Sequence, residues 1–277
     1  MKIPYVKMSG AGNDFIVVDN RNGALASLDL LARKVCDRQA SYGGADGFIA
    51  IEGSERGSFE MKYFNADGSS AMMCGNGGRC AARFAVMEGI TANPEFSFAA
   101  VGSLYRAVVD GDRVRLTMPN PKETELRFTL ALHSCAMQCS YINVETPHAV
   151  IFFSDIIPQP VAALEAMNIN GIGKEIRLHE RFAPLGANAN FAEVLPDNTV
   201  RLRTYERGVE NETLACGTGA VATAIAAHFL YAIVPPVKIL TKSTETLTVD
   251  FTDSNGSIEN LSLEGSANVL GEGEIEV

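Results

Sequence analysis

The chain has 277 residues, enough for one large domain or for two domains of ordinary size. Hydrophobic residues make up 47% of it and charged residues 20%, which is typical of a globular protein with a substantial core. The net charge of −10 argues against a nucleic-acid partner and against binding to an anionic membrane surface. The amino-terminal residues lack the apolar run of a signal peptide, and no segment approaches the roughly 18 apolar residues of a membrane helix. We therefore expect a cytoplasmic protein.

The predicted strands outnumber the predicted helices. Runs rich in β-branched and aromatic residues predict strands at Phe15–Asp19, Gly47–Ile51, Phe59–Phe64, Ser103–Val109, Arg113–Met118, Tyr141–Val144, His148–Phe153, Ala189–Val194, Val200–Tyr205, Lys238–Thr241, Leu247–Phe251 and Ser257–Leu263. Apolar spacing predicts helices at Leu28–Asp37, Gly77–Glu88 and Gly217–Tyr231, and more weakly at Ala162–Met167. Because strands and helices do not alternate strictly, the pattern predicts an α+β fold.

The segment Pro119–Thr124 is the best candidate for a linker, since it has two prolines and no apolar pattern. The two halves that it separates share an ordered set of motifs. The first half contains Gly-Ala-Gly-Asn-Asp-Phe from Gly10, and the second contains Gly-Ala-Asn-Ala-Asn-Phe from Gly186. An aromatic residue and then a Cys-Gly-x-Gly sequence follow in each half. This degenerate duplication predicts two pseudo-symmetric domains whose equivalent sites face a shared cleft.

The two Cys-Gly-x-Gly sequences begin at Cys74 and Cys216, and each leads into a predicted helix of small residues. Glycines are costly inside a helix but allow close approach of a ligand at its start. The first N–H groups of a helix lack internal partners, so such a start can bind a carboxylate. A helix start also lowers the pKa of a thiol. Two such thiols on opposite faces of an α-carbon would invert it, one removing the proton and the other supplying one.

The alternative reading of each cysteine is a small buried packing residue. We favour the catalytic reading because the two cysteines occupy matching places in related halves. Cys36, Cys80, Cys135 and Cys139 have no such context, and Cys80 is expected in the core. Zinc is disfavoured at Cys135 and Cys139 because no second ligand pair accompanies them.

Three further polar residues are candidates for the same site. His148 follows a proline and begins a strand, which suits a positioned side chain but equally a hydrogen-bonded structural histidine. Glu206 and Arg207 end a strand shortly before Cys216. The arginine could clamp a carboxylate and the glutamate an ammonium group, or the two could form an exposed ion pair.

Together these motifs closely resemble the diaminopimelate epimerase family over essentially the whole chain. The matching segments are Lys7–Phe15, Gly44–Gly47, Phe64–Gly68, Cys74–Cys80, Pro147–His148, Gly186–Asn188, Glu206–Gly208 and Ala215–Ala220. The resemblance implies epimerisation of LL- to meso-2,6-diaminopimelate in lysine and peptidoglycan precursor biosynthesis, without pyridoxal phosphate, metal or nucleotide. It also implies a homodimer. Each domain is expected to be a barrel-like sheet around a central helix, with boundaries at 1–119 plus about 263–277 and at 120–262.

The resemblance also implies roles for individual residues. Cys74 and Cys216 would be the acid/base pair. The helix-start donors to the reacting carboxylate would be Gly75, Asn76, Gly217 and Thr218. The residues that hold the rest of the substrate would be Asn13, Asn65, Asn188 and Arg207. Glu206 and His148 would bind the reacting amino group or tune the thiols.

The sequence departs from the family pattern beside His148. Many members have an asparagine before the Pro-His pair, where this chain has Thr146. Threonine can replace only part of that hydrogen bonding, so the asparagine's role is not carried over. Gly47 stands where some members have glutamine, and Gly78 where alanine is common.

Three other functions are weighed against this one. A proline or hydroxyproline racemase would share the fold and the two cysteines. A phenazine-type isomerase would lack the cysteine pair. A non-catalytic amino-acid or peptidoglycan-fragment binding protein could use the same helix starts but would not need two thiols.

Overall fold

The computed structural model describes residues 2–39, 42–133, 135–158 and 161–276. The chain divides into two compact units. Unit 1 comprises Met1–Thr117 and Glu264–Val277, and unit 2 comprises Met118–Leu263.

Unit 1 is built from strands and two helices. Its strands are β1 (Lys2–Gly10), β2 (Asn13–Asp19), β3 (Gly47–Glu52), β4 (Glu60–Asn65), β5 (Glu95–Ala100), β6 (Ser103–Asp110), β7 (Arg113–Thr117) and β17 (Asn268–Glu276), and its helices are α1 (Leu28–Cys36) and α2 (Gly75–Met87). β1 runs antiparallel to β17 and β2. β2 is parallel to β3, β3 antiparallel to β4, and β4 parallel to β5. An antiparallel meander of β5, β6 and β7 completes the order.

Unit 2 has the same kinds of element. Its strands are β8 (Glu123–Ala131), β9 (Ala136–Val144), β10 (Thr146–Ile157), β11 (Asn188–Val194), β12 (Val200–Glu206), β13 (Asn211–Thr213), β14 (Val237–Leu240) and β15 (Thr246–Ser254), followed by β16 (Ser257–Ser266), which runs across the boundary into unit 1. Its helices are α3 (Ile169–Arg177) and α4 (Gly217–Tyr231), with short 3₁₀ turns at Leu164–Ala166 and Glu180–Phe182.

The strand order of unit 1 recurs in unit 2. β9 and β10 are antiparallel like β1 and β2, and β10 is parallel to β11 as β2 is to β3. β11 and β12 are then antiparallel, and β12 is parallel to β14, as in β3, β4 and β5. Parallel neighbours need a crossover connection. Helices α1 and α2 lie in the two crossovers of unit 1, and α3 and α4 lie in those of unit 2. The predicted α+β fold with two pseudo-symmetric halves is confirmed.

A largely buried helix packs against the strands in each unit. Nine of the 13 residues of α2 are buried, against β1, β2, β3, β4, β6 and β7. Ten of the 15 residues of α4 are buried, against β9, β10, β11, β12, β14 and β15. Both helices are rich in alanine and glycine, and small side chains let strands approach from several sides. The expected central helix is therefore present in each unit.

Some predicted elements need correction. Helix α2 begins at Gly75 rather than Gly77, because the glycines that suggested a loop form its first turn. The weak helix at Ala162–Met167 is only a 3₁₀ turn, and α3, which follows it, was not predicted. The predicted linker overlaps β8, because Glu123 and Thr124 already pair with β9. Strands β1, β5, β8, β13 and β17 were also missed. Within the described residues, no helix has both the length and the apolar character needed to cross a membrane.

Candidate active site

Cys74 is the residue immediately before α2, and its backbone is extended, with φ −108° and ψ 121°. Its carbonyl accepts the first helical hydrogen bond, from the Gly78 N–H at 2.8 Å. The half-buried Cys74 side chain does not cap the helix. The first N–H groups of α2 are therefore not satisfied by their own N-cap residue. Together with the helix dipole, they form the kind of donor set that binds a carboxylate.

Side chains of unit 1 fix the start of α2. Asn76 Nδ2 donates to Asn13 Oδ1 at 2.7 Å, and Asn13 Nδ2 donates to Asp46 Oδ2 at 3.1 Å. Arg79 Nη2 donates to Asn76 Oδ1 at 2.9 Å, so both ends of the Asn76 amide are held. A Cβ atom on Gly10 would lie 2.8 Å from the Asn76 carbonyl oxygen. Glycine at position 10 therefore lets β1 approach this helix start closely.

Cys216 occupies the corresponding place before α4, again with an extended backbone, φ −127° and ψ 114°. Its carbonyl accepts the Ala220 N–H at 2.9 Å, and its side chain does not cap the helix. Its Sγ lies 3.6 Å from Thr218 Oγ1. A Cβ atom on Gly219 would lie 2.5 Å from Asn190 Oδ1, so glycine is needed for this buried amide to reach the first turn of α4.

The hydrogen bonds of Asn190 determine the tautomer of His148, a fully buried side chain on β10. Asn190 Oδ1 accepts from Thr204 Oγ1 at 3.0 Å, and Asn190 Nδ2 donates to the Ala149 carbonyl at 3.1 Å. The nitrogen of this amide therefore faces His148 Nδ1, 3.1 Å away, and Nδ1 must accept. In the neutral ring the proton is then on Nε2, which lies 2.9 Å from Thr146 Oγ1.

The environment of His148 keeps the ring neutral. Burial, and secondarily the positive charge of Arg207, lower the pKa of His148 to about 3. The imidazole is therefore an uncharged hydrogen-bond donor at neutral pH, rather than a group that gains and loses a proton during turnover.

Because the pKa of His148 is lowered in the folded state, we expect the free energy of unfolding to decrease in mild acid. The unfolded chain binds a proton at His148 below pH about 6.5, whereas the folded chain does not until about pH 3. The contribution of His148 to stability is thus complete above pH 6.5 and is lost as the pH falls towards 3, by about 2 kcal/mol between pH 7 and pH 5. Urea unfolding at both pH values will measure it.

Two variants make this test specific. His148→Gln should flatten the slope of unfolding free energy against pH between pH 7 and pH 5. His133→Gln, which replaces an exposed histidine outside this buried network, is the comparison variant, and its slope should stay steeper than that of His148→Gln. An unchanged slope in His148→Gln would contradict the assignment of a neutral buried imidazole.

Asn188 joins three strand ends in unit 2. Its Oδ1 accepts the Arg207 backbone N–H at 2.7 Å, and its Nδ2 donates to the Pro147 carbonyl at 3.3 Å. Burial raises the pKa of the neighbouring Glu206 carboxyl. The Arg207 guanidinium donates to the Leu185 carbonyl at 3.3 Å. A cation and a carboxylate therefore follow each other where β12 ends, as the sequence predicted, but they do not form an ion pair with each other in the described contacts.

Asn65 is the exposed last residue of β4. Its Nδ2 donates to Ser69 Oγ at 3.0 Å, and its carbonyl accepts the Gly68 N–H at 2.9 Å. The predicted site residues of unit 1 thus fall into two sets. Asn13 and Asn76 are in direct contact beside Cys74, whereas Asn65 belongs to the turn after β4.

The remaining cysteines lie in different surroundings. Cys36 and Cys139 are buried in the hydrophobic clusters of units 1 and 2, and burial raises the pKa of each thiol to about 12. Cys80 is fully buried in α2, as predicted, and Cys135 is half-buried before β9. Thiols with a raised pKa stay protonated and unreactive at neutral pH. Cys36 and Cys139 are therefore packing residues.

Thr146 was noted in the sequence only as a departure from the family pattern, and four other residues of these networks were given no role: Asp46, Arg79, Asn190 and Thr204. Arg79 is fully buried although its residue type is usually exposed, and its place inside the glycine-rich motif was the available signal. Asn190 lies two residues after Asn188 on the same face of β11, so the paired asparagines were a signal as well. Nothing in the sequence marked Thr204.

Comparisons with known proteins bear on the whole chain. The sequence model of a family described as "Diaminopimelate epimerase" matches residues 5–121 and 140–269. A diaminopimelate epimerase of Aquifex aeolicus is 38% identical over 284 residues, covering 98% of this chain and 97% of that protein. A diaminopimelate epimerase of Chlorobaculum tepidum is 40% identical over 271 residues, covering 97% and 99%.

Solved structures share the fold at much lower sequence identity. A PhzF-family phenazine biosynthesis protein of Bacillus anthracis has a TM-score of 0.71 at 12% identity, with full coverage of both chains. A hydroxyproline epimerase of Agrobacterium vitis, with bound trans-4-hydroxy-L-proline, has a TM-score of 0.69 at 16% identity, covering 99% of this chain and 92% of that one. At these identities the likeness concerns the fold alone.

Proposed function

Because this chain belongs to the diaminopimelate epimerase family, we propose that Cys74 and Cys216 are the acid/base pair that inverts one α-carbon of 2,6-diaminopimelate. The chain is an isomerase, an amino-acid epimerase that converts the LL form to the meso form. One observation carries the assignment of the two residues. Each cysteine is the N-cap of the buried helix of its unit, with an extended backbone and no capping bond of its own.

The proposed reaction needs a thiolate on one face of the substrate and a thiol on the other. The thiolate takes the α-proton, and the electron pair of the broken C–H bond stays on the α-carbon as a carbanion. The opposite thiol then donates its proton to the other face of that carbon. Atoms and charge balance, because one sulfur has gained a proton and the other has lost one. The roles reverse when the reaction runs from the meso form.

The helix starts supply what a carboxylate and a developing carbanion require. Backbone N–H groups at Gly75, Asn76, Gly217 and Thr218 would donate to the reacting carboxylate, whose negative charge increases in the transition state. Their support is the geometry of each first turn. Asn13 holds Asn76 at the start of α2, Thr146 contacts Thr218 at the start of α4, and Gly219 lets Asn190 pack closely there. Donors that are already oriented need no reorganisation when charge develops.

The other polar residues would hold the rest of the substrate. We assign Asn13, Asn65, Asn188 and Arg207 to its distal amino-acid end, where a guanidinium suits a carboxylate. Glu206 would bind the reacting ammonium group. Burial raises the pKa of Glu206, and a bound ammonium ion would favour its charged form. His148, which is neutral, would orient its neighbours rather than carry charge.

The assembly is also part of the proposal. We infer two epimerase domains, 1–119 with about 263–277 and 120–262, and a cytoplasmic homodimer that uses no cofactor. The resemblance to the family supports these assignments. Light scattering on the purified protein will give a mass of twice 29.6 kDa if the dimer is correct.

Substrate choice separates this function from the proline-type alternative. We expect the purified, reduced protein to epimerise LL-diaminopimelate in the presence of EDTA and without added pyridoxal phosphate. L-Proline and trans-4-hydroxy-L-proline should turn over at least about 100-fold more slowly, because they lack the second polar end that Arg207 and Asn65 would bind. Comparable turnover of proline would overturn the substrate assignment, and binding of diaminopimelate without turnover would favour the non-catalytic alternative.

A further inference from the structure

The Thr146 side chain links two parts of unit 2. Its Oγ1 lies 2.9 Å from His148 Nε2 and 3.3 Å from Thr218 Oγ1. Thr218 Oγ1 lies in turn 3.6 Å from Cys216 Sγ. The buried imidazole is thus connected to the sulfur by two hydroxyl groups in series.

The direction of this chain follows from its buried end. His148 Nδ1 accepts from Asn190, so His148 Nε2 carries the ring proton and donates it to Thr146 Oγ1. The Thr146 hydroxyl proton is then available for Thr218 Oγ1, which accepts it. The Thr218 proton is left pointing to Cys216 Sγ. Each member accepts one hydrogen bond and donates the next, and bonds in such a series strengthen each other.

Unit 1 has a counterpart to Thr146. Asn13 begins β2 as Thr146 begins β10, and each follows an antiparallel partner strand after a tight turn. Asn13 contacts Asn76, the second residue of α2, and Thr146 contacts Thr218, the second residue of α4. The first residue of this strand therefore supports the helix start in both units. In unit 2 the contacts run on from there to the cysteine sulfur.

We propose that Thr146 is a positioning residue that orients the Thr218 hydroxyl as a donor to Cys216, and so favours the thiolate form of Cys216. A hydrogen bond donated to sulfur stabilises the thiolate much more than the thiol, because the thiol sulfur is only a weak acceptor. The consequence for catalysis rests on the proposed function, since a thiolate at Cys216 is what removes the α-proton.

A test of this proposal must leave the nearby charged and titratable groups unchanged, because they also influence the ionisation of the Cys216 thiol. The charged and titratable groups on the elements around the start of α4 are His148 on β10, Glu206 and Arg207 at the end of β12, and the ion-paired set of Arg203, Glu212 and Lys242. Substitution of Thr146 changes none of these charges.

The test is the rate at which iodoacetamide alkylates Cys216, measured by peptide mass spectrometry from pH 6 to pH 9 without substrate. In Thr146→Val, which keeps the shape but removes the hydroxyl, we expect alkylation at pH 7 to slow about three- to tenfold and its midpoint to move to higher pH. Thr146→Ser should restore the rate to within about twofold, because it restores the hydroxyl. Thr218→Val removes the direct donor and should slow alkylation at least as much.

Two internal controls accompany these variants. Thr223→Val makes the same change in the same helix, at a buried hydroxyl without a hydrogen-bond partner among the described residues, and should leave the Cys216 rate unchanged. Alkylation of Cys74 should be unaffected in every variant. Thermal melting followed by circular dichroism will show that each variant is folded.

A wild-type Cys216 rate and midpoint in folded Thr146→Val, or in Thr218→Val, would overturn the proposal. So would a Thr146→Ser protein as slow as Thr146→Val. Because the assay uses no substrate, its outcome is separate from that of the proposed function. A chain that behaves as expected here but does not epimerise diaminopimelate would refute the function and leave the hydrogen-bond series standing.

Discussion

Replacing either Cys74 or Cys216 with serine will lower kcat by about 10²- to 10⁴-fold, the range that a positioned acid or base contributes. Serine keeps the size of the side chain and the helix start, but its hydroxyl is far less acidic than a thiol and stays protonated at neutral pH. The KM for LL-diaminopimelate should change much less than kcat, because the proposed carboxylate donors are backbone N–H groups, which this substitution leaves in place. Initial rates with both stereoisomers will measure the effect.

The two substitutions should not add. If the thiols act as one unit, the Cys74→Ser, Cys216→Ser double variant will be within about tenfold of the slower single variant. Cys135→Ser is the matched control, since it changes a cysteine that is not at a helix start, and it should keep the activity of the parent enzyme. Nearly full activity in either single variant would remove that cysteine from the mechanism.

Replacing Arg79 with alanine will lower the free energy of unfolding by about 3–5 kcal/mol. The side chain is fully buried and donates from Nη2 to Asn76 Oδ1 at 2.9 Å, from Nη1 to the Gly75 carbonyl at 3.3 Å and from Nε to the Ser266 carbonyl at 3.2 Å. Alanine leaves these acceptors without that donor and opens a cavity under the first turn of α2. Urea unfolding at pH 7 will measure the loss.

A surface arginine provides the comparison. Arg106, whose side chain is 62% exposed, pairs with Glu95 on a neighbouring strand. Arg106→Ala should lower the free energy of unfolding by less than about 1 kcal/mol. Solvent screens this exposed ion pair, and the Arg106 side chain is hydrated in both the folded and the unfolded protein. Equal losses in the two variants would mean that the buried guanidinium contributes nothing specific to unit 1.

The internal duplication is the strongest structural information in the sequence. Matching motifs at Gly10 and Gly186 and at Cys74 and Cys216 predicted two related halves, which the repeated strand order confirms. The duplication also implies helix α3. Because α1 fills the crossover between β2 and β3, an equivalent helix was to be expected between β10 and β11. The apolar spacing of Ile169–Arg177 alone was too short and too glycine-rich to reveal it.

The missed strands have a different cause. β8 and β17 carry many charged or polar residues on their exposed faces, and their apolar positions are few. β1 is interrupted by Pro4 and Lys7, which weaken its strand pattern. They are strands because of their partners, since β1 pairs with both β2 and β17, which are far apart in sequence. Such tertiary pairing is not encoded in local propensity.

The candidate site likewise contains some features that local sequence reveals and others that depend on contacts between distant residues. The place of Cys74 and Cys216 at two helix starts could be predicted, because the glycines that follow each cysteine mark a helix start in the local sequence. The supporting bonds could not, because they join residues that are distant in the chain, such as Asn13 with Asn76 and Thr146 with Thr218. Register between strands decides these contacts, and register is set by the whole fold.

The most direct test of the two-thiol account is the early course of the reaction in deuterium oxide. With LL-diaminopimelate as substrate, the first meso product should carry one deuteron at the inverted carbon, while the LL substrate recovered at the same time keeps its protium. This follows because the two faces are served by different sulfurs, and only the donating thiol has exchanged with solvent. Equal deuterium in recovered substrate and product would indicate a single base, and an absence of deuterium from the product would contradict the mechanism altogether.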